Sequence, residues 1–299
     1  MTTDDFRRNS ENFCYRHPDR QSFVLCQRCL RTICPECQTP AAVGVICPEC
    51  LRDQQKGQSP AQRTAQRRWS RPRAASVVAD GRPVATYAII AVTAFVYLLT
   101  LIPGGFGASV QDALMFWAPW LYPSLTGVFE PWRLFTVALV HSGIWHIGLN
   151  MLALYMIGRT LEPLLGRGRF VTLYVLSTLG GSVAVTLLAF TTPVVGASGA
   201  IFGLFGALLV IGRHLGANIA SIAVIVGINL VIGFLPGMNV SWQAHVGGLV
   251  TGLVVALVFT RTRAVRQRGR QIGLLVAVSA VLVALLFVPV LFPGLVLGA

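Results

Sequence analysis

Charged residues are scarce in this chain. Only 12% of its 299 residues are charged, against about 25% in typical soluble domains, while 54% are hydrophobic and the mean hydropathy is +0.66. Such a composition excludes a soluble globular protein. Because the bilayer interior requires every backbone polar group to be satisfied within the segment, the sequence predicts an all-α polytopic membrane protein.

Acidic residues are the scarcest charged residues in the membrane part. Beyond residue 83 the acids are Asp112, Glu130 and Glu162. The first two fall in a segment expected at the outer interface, and the third at the cytoplasmic end of the second span. A carboxylate for a Ser–His–Asp triad is therefore not expected. A transporter or channel is also disfavoured, because no acidic residue or paired charge lines the spans.

Cysteine is absent after Cys50, and all seven cysteines lie between Cys14 and Cys50. The first 25 residues are polar and charged, so we expect no signal peptide and a cytosolic location for this module. Metal binding is then favoured over disulfides, because the cytosol is reducing and seven is an odd number.

The cysteines and one histidine form four pairs with a two-residue spacing. These pairs are Cys14-x2-His17, Cys26-x2-Cys29, Cys34-x2-Cys37 and Cys47-x2-Cys50. They provide ligands for two structural, tetrahedral Zn²⁺ ions. The module resembles a B-box-like zinc finger, which implies that alternate pairs share a metal. One ion would take Cys14, His17, Cys34 and Cys37, and the other Cys26, Cys29, Cys47 and Cys50; sequential pairing is the alternative.

The chain divides into the zinc module at 1–53, a basic linker at 54–83, six predicted spans within 84–261, and a basic loop with a seventh span at 262–299. Apolar runs long enough to cross a bilayer occupy 84–103, 143–161, 170–190, 197–212, 217–235, 242–260 and 272–292. With a cytoplasmic amino terminus, the inner loops hold nine arginines and the outer loops hold Arg133 alone. The positive-inside rule therefore predicts a cell-membrane protein with an extracytoplasmic carboxyl terminus. Aromatic residues within 104–131 predict an interfacial segment.

Spans two, four and six carry polar residues in their first turns. These residues are His141, His146 and Asn150 on span two, Ser198 on span four, and His245 on span six. All three spans enter from outside, so the five side chains are expected at one depth. Ser198 and His245 supply a nucleophile and a base, and His141, Ser142 and Asn150 are expected to line a cavity open to water.

Small residues on spans four and six predict close helix packing. Gly199, Gly203 and Gly206, and Gly248 and Gly252, follow the small-xxx-small spacing that lets backbones approach. Such an approach brings a short serine side chain within reach of an imidazole. With no carboxylate expected nearby, the sequence predicts a Ser–His dyad, whose oxyanion would be held by the Ser198 amide, His146 and Asn150.

Five ordered motifs within about residues 84–261 resemble those of rhomboid intramembrane serine proteases. They are Glu130-x-Trp132-Arg133, His141-x4-His146-x3-Asn150, Gly158-x3-Glu162-x3-Gly166, Gly196-Ala197-Ser198-Gly199 and Ala244-His245-x2-Gly248-x3-Gly252. The resemblance implies a six-helix core and a dyad that cuts transmembrane segments of other proteins near the outer interface. It also implies that the seventh span is an extra carboxy-terminal helix and that Trp132 and Arg133 stabilise the interfacial loop. Phe202 stands where many members have a tyrosine that stacks on the catalytic histidine.

The sequence leaves alternatives for both parts of the chain. A catalytically silent rhomboid-like protein would bind transmembrane clients without cutting them, although such proteins typically lack the serine or the histidine. The zinc module is expected to bind a protein partner. Nucleic-acid binding through the basic linker is disfavoured, because topology and anionic lipid already account for its arginines.

Overall fold

The computed structural model describes residues 10–40, 44–56, 82–216, 218–233 and 240–296. The chain separates into two compact units, Met1–Val78 and Ala79–Ala299. Most of the predicted basic linker, residues 57–81, lies outside the described residues.

Among its described residues, the first unit contains four short strands and one α-helix. Strands β1 (Phe13–Cys14) and β2 (His17–Gln21) form one antiparallel pair, and β3 (Thr39–Pro40) and β4 (Val45–Ile46) form another, followed by α1 (Pro48–Lys56). The buried core consists of six cysteines together with Ile33 and Ile46. So small an apolar core gives little free energy of folding, and domains of this size usually depend on metals or disulfides.

The second unit is helical, as the sequence predicts. Its helices are α2 (Val84–Thr100), α3 (Phe106–Leu114), α4 (Pro123–Thr126), α5 (Arg133–Thr136), α6 (Ile144–Leu165), α7 (Arg167–Leu188), α8 (Ser198–His214), α9 (Ala220–Gly233), α10 (Trp242–Arg261), α11 (Arg268–Leu285), α12 (Val288–Leu291) and α13 (Pro293–Val296). Each of the seven predicted spans overlaps one helix of 14 to 22 residues. The fold class of an all-α polytopic membrane protein is confirmed.

The apolar helices differ in length. Among the described residues, three are long and apolar enough to cross a membrane: Arg167–Leu188, Trp242–Arg261 and Arg268–Leu291. The segments Arg133–Leu139 and Ile144–Leu165 form a further candidate span that is bent by 98°. Helices α2, α8 and α9 are apolar but shorter, with 17, 17 and 14 residues.

Helices α7, α8 and α10 pack with their backbones in contact. A Cβ atom added to Gly248 would lie 1.9 Å from the Gly199 carbonyl oxygen, and one added to Gly252 would lie 2.0 Å from that of Gly203. The predicted close approach of α8 and α10 is therefore present. Gly181 of α7 also packs closely against α10, because a Cβ atom added to it would lie 3.1 Å from the Ala244 carbonyl oxygen.

Glu162 joins α6 to the start of α2. Its carboxylate accepts hydrogen bonds from the Ala85 and Thr86 amides and from the Thr86 hydroxyl, each at 2.8 Å. The first amides of a helix have no partner within the helix. Glu162 satisfies two of them and fixes where α2 begins against α6.

The aromatic segment before the bent span is folded around Arg133. This buried guanidinium pairs with Glu130, donates to the carbonyl oxygens of Asp112 and Met115, and lies 4.1 Å from the centre of the Trp120 ring. Neighbouring Trp132 donates its indole N–H to the Ala113 carbonyl at 3.3 Å. The sequence predicts an interfacial segment at 104–131, and in the structure this segment contains the helices α3 and α4.

Candidate active site

A cavity of about 550 Å³ opens between α6, α7, α8, α9 and α10. Its lining includes Ser142, Trp145, His146, Asn150, Ser198, Phe202, Asn229, Ile232, Ser241 and His245. The predicted nucleophile, base and oxyanion residues thus share one cavity, although they come from three helices. Polar side chains within membrane-spanning helices carry a large desolvation cost unless they are paired or face water.

Ser198 begins α8, and the loop before it determines what lies beside the hydroxyl. Gly196 has a φ of 122°, a region that side chains disfavour, and its amide donates to the Val137 carbonyl at 2.9 Å. A Cβ atom there would lie 2.7 Å from His146 Nε2 and 3.8 Å from Ser198 Oγ. Glycine at this position therefore lets the His146 ring and the Ser198 hydroxyl approach the same point.

His245 lies in the first turns of α10, against the ring of Phe202. The two rings stack with centroids 4.0 Å apart and planes 13° apart. His245 Nδ1 is buried and has no hydrogen-bond partner in the described part of the chain. The imidazole is therefore oriented by packing, and a carboxylate partner of the kind found in a triad is not among the described residues.

Ser198 and His245 share the cavity without a direct hydrogen bond among the contacts of the described residues. Gly199 and Ala244, the residues beside them, nevertheless touch: a Cβ atom on Gly199 would lie 3.2 Å from Ala244 O. Catalytic hydrogen bonds are often long in unliganded enzymes and shorten when substrate binds.

His146 and Asn150 project from the first turns of α6, one helical turn apart. The Ser142 hydroxyl lies 3.0 Å from His146 Nδ1, which leaves Nε2 on the side of Gly196 and Ser198. Asn150 donates its amide to the His146 carbonyl at 2.8 Å. Both side chains line the cavity and can offer N–H groups to an anion formed beside Ser198.

His141 differs from the expectation. It was expected to line the cavity, but it is buried behind the lining, 1% exposed. Its Nε2 accepts a hydrogen bond from the Ala197 amide at 3.4 Å, and its ring meets His146 edge-on at 5.0 Å. The bend between α5 and α6 carries His141 into the interior, where it supports the residues around Ser198.

Comparison with known proteins places these residues in a family. The family model of the rhomboid domain matches residues 128–262. The chain contains a domain of the rhomboid family. Among similar proteins, "Rhomboid protease GluP" of Bacillus subtilis is 35% identical over 229 residues, which cover 74% of this chain and 42% of that protein.

Two further relatives show the range of the rhomboid similarity. "RHOMBOID-like protein 1" of Arabidopsis thaliana is 40% identical over 137 residues, covering 44% of this chain and 35% of the relative. "Putative rhomboid protease YdcA" of Bacillus subtilis is 29% identical over 188 residues, covering 58% and 87%. The chain spans less than half the length of GluP and of the Arabidopsis protein.

Outside the rhomboid domain, the first unit holds two clusters of metal-ligand side chains. One contains Cys14, His17, Cys34 and Cys37; the other contains Cys26, Cys29, Cys47 and Cys50. Within each cluster the ligand atoms lie within 4.8 Å of one another. The structure therefore assembles the alternate pairing that the zinc-finger resemblance implies, and not the sequential one.

The surroundings of the sulfurs suit a cation. Burial alone would raise the pKa of Cys14 and Cys26, but backbone N–H groups donate to both sulfurs and lower each pKa to about 6. In the same clusters, burial raises the pKa of Cys37 to about 11 and that of Cys50 to about 12, and the neighbouring sulfurs add to the effect. A cation at the centre of each cluster would offset this crowding of sulfurs.

Two residues near the rhomboid site were not singled out from the sequence. Trp145 lines the cavity from the first turn of α6, and Asn229 lines it from α9. Trp145 gives no sequence signal, because aromatic residues occur throughout the membrane interface. Asn229 could have been recognised as a strongly polar residue within an apolar span.

Proposed function

We propose that this protein is an intramembrane serine endopeptidase that cuts transmembrane segments of other membrane proteins. The proposal is supported chiefly by the shared cavity, whose lining includes Ser198 of α8 and His245 of α10 together with His146 and Asn150 of α6. Two Bacillus relatives are named a rhomboid protease and a putative rhomboid protease, which supports the same reaction class.

In the proposed mechanism, Ser198 Oγ attacks the carbonyl carbon of the scissile peptide bond while His245 accepts its proton. The resulting oxyanion receives hydrogen bonds from the Ser198 amide, at the start of a helix where amides are unpaired, and from His146 and Asn150. His245 then gives its proton to the leaving amine, which leaves an acyl-serine. Water from the cavity hydrolyses the ester, with His245 as the base again.

The decisive experiment uses purified full-length protein and a labelled transmembrane substrate in detergent or vesicles. The wild-type protein should produce one cut, and Ser198→Ala and His245→Ala should each abolish it. Ser279→Ala is the matched control, since Ser279 bonds to Leu275 O within α11, which does not line the described cavity. Cleavage by Ser198→Ala at the wild-type rate would reject the proposal.

A catalytically silent client-binding protein is the alternative within the same family. A serine-directed fluorophosphonate or isocoumarin probe separates the two. An active enzyme should be labelled at Ser198, and labelling should require His245. Binding of substrate without cleavage or labelling would favour the silent protein.

For the first unit we propose two structural Zn²⁺ ions, one in each cluster. Four thiolate or imidazole ligands with no open position are typical of structural zinc. Because both sites are closed, the module is proposed to bind a protein partner. It is proposed to lie on the cytoplasmic side of the cell membrane, with the carboxyl terminus outside; the arginine distribution supports this orientation.

A further inference from the structure

Asn229 is a polar side chain in the middle of the apolar helix α9, and it lies on the wall of the cavity. It is exposed there. The helix reads Ala-Ser-Ile-Ala-Val-Ile-Val-Gly-Ile-Asn-Leu-Val-Ile-Gly, so Asn229 is its sole amide side chain. An amide that lacks hydrogen-bond partners is strongly disfavoured in hydrocarbon. Its position beside the cavity therefore needs a physical reason.

The hydrogen-bonding groups of the Asn229 side chain are only partly satisfied. Its Nδ2 donates to the Ile225 carbonyl at 2.8 Å, one turn earlier in the same helix. Its Oδ1 has no partner among the described residues. The helix therefore anchors the donor end of the side chain and leaves the acceptor end for something that enters the cavity.

Other residues of the cavity lining have the complementary chemistry. Around Ser198, the helix start and the His146 and Asn150 side chains offer N–H donors, which suit a carbonyl oxygen. A transmembrane segment that is opened for cleavage exposes backbone N–H groups as well as carbonyl groups, and neither finds water in the bilayer. The exposed N–H groups need an acceptor, and the Asn229 carbonyl provides one.

We propose that Asn229 Oδ1 accepts a hydrogen bond from a backbone N–H of the unwound transmembrane substrate, close to the scissile bond. Asn229 thereby holds the segment in an opened form against α9, while Ser198 attacks from α8. This inference rests on the proposed endopeptidase function, and it makes Asn229 a substrate-binding residue that small serine-directed probes do not need.

The first test compares variants of the full-length protein. Asn229→Leu keeps the size of the side chain and removes the acceptor, so KM for a transmembrane peptide should rise about fivefold, as expected for one neutral hydrogen bond. Labelling of Ser198 by a fluorophosphonate should stay at the wild-type rate. Ile228→Ala is the matched control, because Ile228 is also exposed on α9 but lies outside the cavity lining.

The second test locates the hydrogen bond on the substrate. Synthetic transmembrane peptides carry single backbone esters, each of which replaces one N–H by oxygen near the cut. At one position the ester should slow cleavage by the wild-type protein. The same ester should cause no further slowing in Asn229→Leu. Asn229→Gln, which retains an amide acceptor, should recover part of the ester sensitivity and also serves if the leucine variant fails to fold.

Three results would overturn the inference. They are an unchanged KM in Asn229→Leu, a loss of Ser198 labelling in proportion to the loss of cleavage, or a wild-type protein insensitive to every ester. The second result would assign Asn229 a purely structural role. If wild-type protein neither cleaved the peptide nor reacted with the probe, the proposed function itself would fail, which is a distinguishable outcome.

Discussion

The ring of Phe202 lies flat against the imidazole of His245, with their centroids 4.0 Å apart. Since His245 Nδ1 has no hydrogen-bond partner in the described part of the chain, this stack is the contact that sets the plane of the imidazole. In a triad a carboxylate holds the base through a hydrogen bond. Here an aromatic face takes over the orienting role.

Phe202→Ala should therefore lower kcat about tenfold, because a well-stacked aromatic pair contributes about 0.5–1.5 kcal/mol and its loss frees the imidazole. Phe202→Tyr should retain most of the activity, since it keeps the ring. Steady-state cleavage of a transmembrane peptide and the rate of Ser198 labelling measure both effects. Equal losses in Phe202→Ala and Phe202→Tyr would contradict an orienting role for the ring.

Close contact between α8 and α10 yields a second prediction. In Gly252→Ala the new methyl group would lie 2.0 Å from the Gly203 carbonyl oxygen, and overpacking of this kind costs about 1–3 kcal/mol. We expect a lower unfolding temperature in detergent and weaker Ser198 labelling, because the helices that carry Ser198 and His245 are pushed apart.

Gly273→Ala on α11 is the matched control, since nothing lies within 4 Å of its added Cβ atom. It should be neutral or slightly stabilising, because alanine favours a helix over glycine by about 0.8–1.0 kcal/mol. If the two variants unfolded at the same temperature, glycine at 252 would serve no packing function.

Much of the rhomboid domain could be predicted from the sequence because its signals are local. Apolar runs predict the helices, small residues at four-residue intervals predict close packing, and polar residues in the first turns of three spans predict a shared cavity. Ser198 and His245 follow this reasoning, since both lie where their helices begin. Within each span these signals depend on residues a few positions apart, and the shared cavity follows because the three spans enter the membrane from the same side.

The remaining features depend on residues far apart in the chain. Glu162 bonds to Thr86, 76 positions away, and the bend before α6 moves His141 behind the cavity lining. No local pattern encodes either arrangement. The spacing of the zinc ligands alone leaves their pairing open, because every Cys-x2-Cys pair looks alike in the sequence. The resemblance to a B-box-like finger implies the alternate pairing, and the structure assembles it.

The Glu162 contact yields a third prediction. Glu162 accepts three hydrogen bonds, from the Ala85 amide and from the amide and hydroxyl of Thr86. Glu162→Gln places an NH₂ group against these donors, so the protein should lose at least about 2 kcal/mol, given about 1.5–3 kcal/mol for a hydrogen bond to a charged group. Thermal unfolding in detergent measures this loss.

Thr86→Val is the graded comparison, because it removes the hydroxyl donor and leaves both amides in place. Its destabilisation should be smaller than that of Glu162→Gln. If Thr86→Val were as damaging, the hydroxyl bond alone would fix the start of α2, and the two amide bonds would contribute nothing measurable.

The zinc module yields the last prediction, which separates the two ligand pairings by counting ions. Full-length protein should hold two zinc ions per chain. In the assembled clusters Cys14 and Cys37 belong to one site, so Cys14→Ser/Cys37→Ser should retain one ion. Cys14→Ser/Cys26→Ser damages both sites and should retain none. Sequential pairing predicts the reverse result for the two variants. Metal content per chain, measured by plasma mass spectrometry, decides between them, and wild-type protein without zinc would contradict both.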